Sequence, residues 1–508
     1  MPIDSATPQS PGWWLQRLTT ELQQRNRGHR WSQMSRTRRG RPGLDLLDSY
    51  LQGDPPLPTV AAGWSETLLP LLREARMNYA ELVVEAPRER MIPLGWTTAV
   101  DADENGDQVA ARIAAANELE LRSADVFRWM LCLGDGYMMV GPPDPMTGIP
   151  VVSKEDPRQV ITADDPATGR AMAALKLFLD DWTGDRLAYV YVPGAVWVAR
   201  QPAGVLSPSG FSPSTWNWDP DLSRAYPAGF EDLVPIVRFR NVDGQGEYER
   251  HLDVLDRINR EIFRRVTIAE YQAFRQRAVI GLPETSDNAA PADDGSNVID
   301  YTDVFTADPG ALWQAPEGVN FWESAAIDLG PVRAAVKDDV EALAAATRTP
   351  LHYITPDAAQ GSAEGASVMR ESLVYRVEDR RRRAAAAFAR VMSTAFRMMG
   401  ESERADVLSI RTIWQPAERY SLSERSNAAV QLVGVIPNRI IRRDILQYTP
   451  DQIEALDRAD AEDLQRQAER AAVLGPNAAG QRPAPAAPVA AQPGPAQPAP
   501  VNTARQAG

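Results

Sequence analysis

The side chains able to do chemistry in this 508-residue chain are few and scattered. His29, His251 and His352 are the only histidines, and no two stand at a metal-binding spacing. Cys132 is the only cysteine, so neither an intrachain disulfide nor a thiolate metal cage is available. Paired acids occur at Asp164/Asp165, Asp180/Asp181 and Asp293/Asp294. Such pairs could hold a hard divalent cation for nucleic-acid cleavage, but each lies in turn-forming sequence, where carboxylates cap backbone N–H groups. Gly361-Ser362-Ala363-Glu364-Gly365 matches no nucleophile elbow, and no G-x-x-x-x-G-K-[ST] phosphate loop exists. The sequence therefore assigns no catalytic residue, no metal ligand and no cofactor. A metal-dependent nucleic-acid-processing enzyme built on the scattered acids stands as the alternative reading.

Groups that could bind are more plentiful. Residues 12–41 carry Arg17, Arg25, Arg27, Arg30, Arg36, Arg38, Arg39 and Arg41, with Trp13, Trp14 and Trp31 between them. This pattern suits nucleic acid or an acidic partner, and equally an amphipathic helix lying on its own acidic chain. Arg380, Arg381, Arg382 and Arg383 follow Glu378 and Asp379 in mid-helix. They read either as the solvated skin of a bend or as a polar seam between subunits. A net charge of −14 argues against a tight sequence-reading DNA binder, though not against a surface past which DNA slides.

The elements that must position these groups centre on 327–399. Val332, Val336, Val340 and Leu343 form the stripe of an Ala-rich helix that Asp328 can cap and Pro350 ends. A polar loop, Leu351–Gly365, leads to a long helix from about Ser367 to Met399 with Leu373, Val377, Ala384, Phe388, Val391 and Ala395 in register. The charged block in its middle predicts a helix that leaves one packed region, crosses solvent or a polar seam and enters another. Upstream, Ser65–Glu85 reads as one helix, and Gln108–Leu121 and Ser123–Leu133 as two, the second capped by Ser123. From Tyr137 to Arg240 the period switches to two, with hairpin turns at GPPDPMTGIP, ADDPATGR and WTGD. Trp216, Trp218 and Tyr226 fall in a Pro/Ser-rich connector. Glu247–Arg277 is a strong helix, with Asp256–Arg260 and Glu261–Arg265 spaced to pair. Val298–Phe305 and Trp313–Trp322 read as strands of an inserted module, and Val407–Gln415 as a strand returning to the earlier sheet. Capping boxes at Ser421–Glu424 and Thr449–Gln452 open two terminal helices. The Pro/Ala/Gln stretch from 476 onward cannot bury enough apolar surface to order itself. No 18-residue apolar run predicts a membrane span.

The layout resembles the portal proteins of tailed bacteriophages, of the siphophage type, over about residues 44–475. The matching stretches are LLDSYLQGDPPLP (46–58), the helix around Asn78, VFRWMLCLGDGYMMVGPPDPMTGIP (126–150), VPIVRFRNVDGQGEYERHLDVLDRINREI (234–262), the helix–TRTPLHYI–loop–helix block and the capped terminal helices. None is a catalytic signature; the order of elements is the specific part. The resemblance implies an α+β portal-protein fold with a β-rich wing, a two-helix stem, a small clip insertion, a long kinked wing helix and a helical crown. It divides the chain into a basic N-terminal arm (1–43), wing (44–245), first stem helix (246–278), clip (279–326), second stem helix (327–350), tunnel loop (351–365), long wing helix and return strand (366–419), crown (420–475) and a disordered tail (476–508).

By the same resemblance the chain forms a ring, usually a homododecamer, at one capsid vertex of the virion, assembled in the host cytoplasm. It is a conduit for double-stranded DNA during packaging by the terminase large subunit and during ejection. Major capsid or scaffold protein and the head–tail adaptor are the further partners, and no membrane is involved. Thr355, Gln360 and Ser362 of the loop, with Arg333 and Lys337 of the preceding helix, become channel residues. For Lys337 a pair with Glu341 is the competing fate. Trp313, Phe321 and Trp322 become clip residues that meet a partner.

Overall fold

The computed structural model describes residues 3–27, 41–57, 65–101, 106–205, 211–227, 229–273, 277–281, 318–323, 325–350, 353, 363–418 and 422–474. The chain divides into two compact units, Met1–Pro450 and Asp451–Gly508.

The first unit opens with α1 (Pro11–Arg27), α2 (Leu44–Leu51), α3 (Ser65–Glu74), α4 (Tyr79–Arg88), β1 (Pro93–Thr97), α5 (Gln108–Ala116) and α6 (Leu119–Leu133). The strand-rich part follows as β2 (Asp135–Pro143), β3 (Pro150–Glu155), β4 (Val160–Asp164), β5 (Ala171–Leu179), β6 (Arg186–Val192), β7 (Ala195–Gln201), β8 (Asn217–Ala225) and β9 (Ile236–Arg240). Then come α7 (Leu252–Ala273), β10 (Arg277–Ile280), β11 (Asn320–Glu323), α8 (Gly330–Thr347), α9 (Ala363–Met399), β12 (Arg411–Trp414), α10 (Leu422–Leu432) and α11 (Asn438–Ile440). Mixed helix and sheet makes the class α+β. In the second unit, α12 (Pro450–Leu474) is a charged helix laced by Glu454–Arg458 and Glu462–Arg466 pairs one turn apart, each at 3.6 Å.

The period-two stretch forms two antiparallel sheets, β3-β2-β9 and β4-β5-β6-β7-β8. Three of their hairpin turns repeat one device, Asp-x-x-Thr-Gly, at Asp144–Gly148, Asp165–Gly169 and Asp180–Gly184. In each, the carboxylate accepts the N–H two residues on and the Thr hydroxyl three residues on, and the Gly takes φ of 68°, 63° and 72°. These bonds hold the Asp165 and Asp180 carboxyls below the usual carboxylate range, the Thr hydroxyl contributing most. One acid of each pair at those turns, Asp165 or Asp180, is thus a cap, and Asp164 is bound to Arg238 at 2.9 Å. Asp293/Asp294 lie outside the described residues.

Alternation gives the five-stranded sheet two apolar faces. Ile161, Leu175, Ala188, Val190 and Ala199 pack under α1, which buries Trp14, Leu15, Leu18 and Leu22 on them. Val160, Ala174, Tyr191, Val196 and Val198 face Tyr137, Val234 and Ile236 beside the smaller sheet. The N-terminal segment through Arg27 is therefore a helix seated on its own chain. Arg25 donates to Asp135 at 2.7 Å and Asn26 to the Arg158 carbonyl at 2.7 Å. The rest of the basic stretch, 28–40, lies outside the described residues.

The main core gathers α2, α4, α6, α7, α8 and α9 against the three-stranded sheet. Phe388 of α9 is its hub, with ring centroids 5.3 Å from Trp96, 5.8 Å from Phe127, 5.1 Å from Phe239 and 6.1 Å from Trp414.

Several sequence expectations change. The 65–85 helix breaks into α3 and α4, because Asn78 caps α4 by accepting the Glu81 N–H at 3.2 Å while donating to the Leu51 carbonyl at 2.9 Å. Asn78→Ala is expected to cost ~1–2 kcal/mol in chemical denaturation, the loss of a cap plus an unpaired carbonyl. Ser123 is inside α6, its hydroxyl bonded to the Glu120 carbonyl, so it caps nothing. The supposed connector at 216–226 holds β8, accommodated by a register shift between Val196 and Val198. Strand β12 pairs with β1 rather than with either larger sheet. On α7, Asp256 accepts the Tyr50 hydroxyl at 2.5 Å, and Glu261 pairs with Arg264 instead of Arg265.

Candidate functional site

The residues singled out by sequence converge on the junction of α7, α8 and α9. Helices α7 and α8 are clasped by Arg257, whose guanidinium meets both Asp339 oxygens at 2.7 and 2.8 Å. Asp328 binds the Gly330 N–H at 2.8 Å, as a start signal should. Helix α8 ends at Thr347. Arg348 then turns left-handed at φ 53°, and Thr349 returns its N–H to the Ala344 carbonyl.

Below this end sits a buried ionic cluster that sequence reading missed. The Arg376 side chain is only 3% exposed. It donates to the Thr347 carbonyl at 2.6 Å, the Val83 carbonyl at 2.7 Å and Glu247 at 3.1 Å. Glu247 also accepts from Arg380 at 2.7 Å and Asn241 at 3.0 Å. Burial alone would raise the Glu247 carboxyl, but Arg376, Arg380 and Asn241 together hold it below its ordinary value. The cluster ties the last turn of α8 to α9, α4 and the start of the α7 segment. It is a fixed joint, with no proton acceptor left over for chemistry. A signal was present: 376, 380 and 381 share the stripe of Leu373, Val377 and Ala384, so these arginines face inward.

That placement corrects the reading of α9. The helix does not pass from one packed region to another across a polar seam. Leu373, Val377, Ala384 and Phe388 belong to one core, and Arg376, Arg380 and Arg381 between them are turned inward with partners of their own chain. It also starts at Ala363, so the loop is shorter than Leu351–Gly365.

Of the four arginines, Arg380 binds Glu247 and Asp379, and Arg381 donates to the Arg90 carbonyl and to Glu378. Arg382 and Arg383 are exposed, Arg383 pairing with Asp379 at 3.2 Å. Arg333 and Lys337 stand on the exposed face of α8, and Lys337 reaches Glu341 at 3.7 Å, the competing fate named for it. Phe321 and Trp322 lie on β11, opposite Val279 and Ala278 of β10, and are 52% and 51% exposed. Thr355, Gln360, Ser362 and Trp313 lie outside the described residues, as do most of 279–326 and 351–362 and all of 476–508. Tyr353 packs against the core and receives a bond from Arg90 at 3.2 Å.

Other reactive candidates have structural work. Cys132 is buried 2.9 Å from the Tyr248 hydroxyl, and burial pushes its thiol up to about 12. Among the described residues no three His, Cys, Asp or Glu side chains gather as a metal site, and no helix is long and apolar enough to cross a membrane.

A family model described as phage portal protein, SPP1 Gp6-like, matches residues 41–472. The chain belongs to that family. No curated protein sequence matches the chain. Solved structures similar to it include the neck of a native GTA particle computed with C12 symmetry, 13% identical, covering 79% of this chain and 98% of that one, with a TM-score of 0.40. Another is the virion of the native gene transfer agent particle, 12% identical, covering 80% and 99%, with a TM-score of 0.38. For a portal-family chain, a buried joint at the end of α8 is structural equipment, and packaging and head–tail connection are the roles that fit the family.

Proposed function

We propose that this portal chain assembles as a closed ring, of twelve copies by the family resemblance, at one vertex of a phage capsid. The ring is assembled in the host cytoplasm and passes double-stranded DNA inward under the terminase large subunit and outward to the tail. Capsid or scaffold protein surrounds it and the head–tail adaptor docks below. In this reading α7 and α8 are the stem, and the 279–326 insertion is the clip, presenting Trp313, Phe321 and Trp322. Residues 420–475 are the crown. The two larger sheets and α9 make the wing, to which α1 is added. The segment 351–362, with Thr355, Gln360 and Ser362, lines the channel together with Arg333 and Lys337.

The observation that carries the reading is the outer face of α8. Ala334, Ala335, Ala342, Ala345 and Ala346 are exposed there in the single chain, a face of small side chains that lets a neighbouring helix approach closely. The few charges beside it suit DNA that must slide, since a continuous basic lining would hold phosphates at every step.

Deleting 357–361 tests both levels. Rings should form as in the wild type by negative-stain imaging, while particles built with the variant package or retain DNA poorly. Normal titres would remove the channel role of the loop. A wild-type chain that stays monomeric across salt and concentration would remove the ring.

A further inference from the structure

Two features of the five-stranded sheet have no partner among the described residues. The first is Trp182, 97% exposed at the tip of the β5–β6 turn. That turn is held rigid: Asp180 accepts the Trp182 N–H at 3.2 Å and the Thr183 hydroxyl at 2.7 Å, and the Gly184 N–H returns to the Asp180 carbonyl at 2.8 Å. The indole is therefore presented at little further entropic cost.

The second is a cavity of about 500 Å³ where the two larger sheets meet. This lies within the ~300–1,000 Å³ range of sites that enclose a compact ligand. Its walls are apolar and aromatic, with Met139, Tyr189, Tyr191, Phe230 and Met398 among them. Two polar groups there bear on what could fill it, a buried hydroxyl and an exposed guanidinium at the rim. The Tyr226 hydroxyl is buried without a hydrogen bond, and Arg224 makes no ion pair among the described residues. An indole answers both, because its N–H is a donor only and its π face attracts a guanidinium.

A chain cannot fill its own cavity. Strand β6 leads from the Trp182 turn to the cavity wall, and at ~3.3 Å per residue the end of the turn at Asp185 lies ~13 Å from Tyr189 and ~20 Å from Tyr191, beyond the reach of one side chain. A knob and a hole at separate places on one sheet define a head-to-tail contact, the kind that generates rings when the rotation closes. We infer that Trp182 of each copy inserts into the Met139–Tyr226–Met398 cavity of the next copy, with its indole N–H on Tyr226 and its face toward Arg224. This rests on the ring reading above and names one anchor of the interface. A tryptophan buries at most ~250 Å², so the α8 face and other surfaces supply the remainder.

The test uses the full-length chain under conditions where the wild type assembles. Trp182→Ala should leave the melting curve of the unassembled chain unchanged, measured below the assembly concentration, since the side chain is 97% exposed. It should raise the concentration of half-assembly ~10-fold or more, as loss of an aromatic anchor does. Leu222→Arg, at the exposed rim of the cavity, should do the same from the other side. An equimolar mixture of the two variants retains one competent pairing, Trp182 of the Leu222→Arg chain in the cavity of the Trp182→Ala chain. It should therefore yield heterodimers and no rings. A photo-crosslinking side chain at position 182 should attach to residues 139–143 or 222–235 of a neighbouring copy. Rings from both variants at wild-type concentrations, rings from the mixture, or crosslinks to another surface or another protein would each overturn the inference. Assembly of the wild type separates these outcomes from failure of the ring reading, which would show as monomer in every sample.

Discussion

Glu247→Ala is expected to destabilise the folded chain by ~3–5 kcal/mol, because it strips the counter-charge from the buried Arg376 guanidinium and one of two from the partly buried Arg380, which keeps Asp379. Arg376 and Arg380 would be left close together, Arg376 still fixed to the Thr347 and Val83 carbonyls and unable to reach water. Glu247→Gln should cost less, since an amide oxygen still accepts from one arginine. Glu247→Leu with Arg376→Met removes both charges and should recover part of the loss. Recovery stays incomplete because the two carbonyls then lack donors, at ~1–3 kcal/mol each. The sign of the pH dependence follows from the carboxyl held below its ordinary 4.5. A group depressed in the folded state contributes fully above that value, and its contribution falls away as pH drops through the folded one. Wild-type stability should therefore decline below pH 4.5 more steeply than that of the Leu/Met double variant. Urea titrations at pH 7 and pH 4 check both points, and a Glu247→Ala loss under ~1 kcal/mol would refute the joint.

Such a cluster shows where sequence stops being informative. Hairpins between Tyr137 and Val192 were legible because Asp-x-x-Thr-Gly is a local device whose partners lie within five residues. Likewise α8 was legible from its stripe and its Asp328 start. Strand β8 was not, because Asp219-Pro220-Asp221 reads as a loop until a neighbouring strand absorbs it in a register shift. The β1–β12 pairing joins segments more than 300 residues apart, and nothing local at Arg411–Trp414 selects β1 over the other sheets. Glu247 meets Arg376 across 129 residues, and although the stripe turns Arg376 inward, nothing near either residue names the other as its partner. The charged block on α9 misled for a related reason. Its residues cannot make an apolar face, yet a face can be buried without being apolar when each guanidinium finds carbonyls and carboxylates.

The four arginines of that block should consequently separate into two classes under charge reversal. Arg381→Glu is expected to cost more than ~3 kcal/mol, since it puts a carboxylate in a buried site beside Glu378 and against the Arg90 carbonyl, where only donors are tolerated. The native residue is itself under tension there. Burial pulls its pKa down to about 10, its Nε lacks an acceptor among the described residues, and it is compensated by the Trp414 ring 5.5 Å away. Arg381→Met, which keeps the packing and drops the charge, should be tolerated far better than the glutamate. Arg382→Glu with Arg383→Glu touches only exposed side chains and one surface pair with Asp379, so folding should change by ~0.5 kcal/mol or less. If these two arginines meet acids of a neighbouring copy, the unassembled second variant melts normally yet assembles poorly, and added salt, which screens the new acid–acid repulsion, partly restores assembly. If they only solvate the helix, rings form as in the wild type. A seam therefore has to be sought at 382 and 383, because any assembly defect from reversing 381 would report a chain that no longer folds.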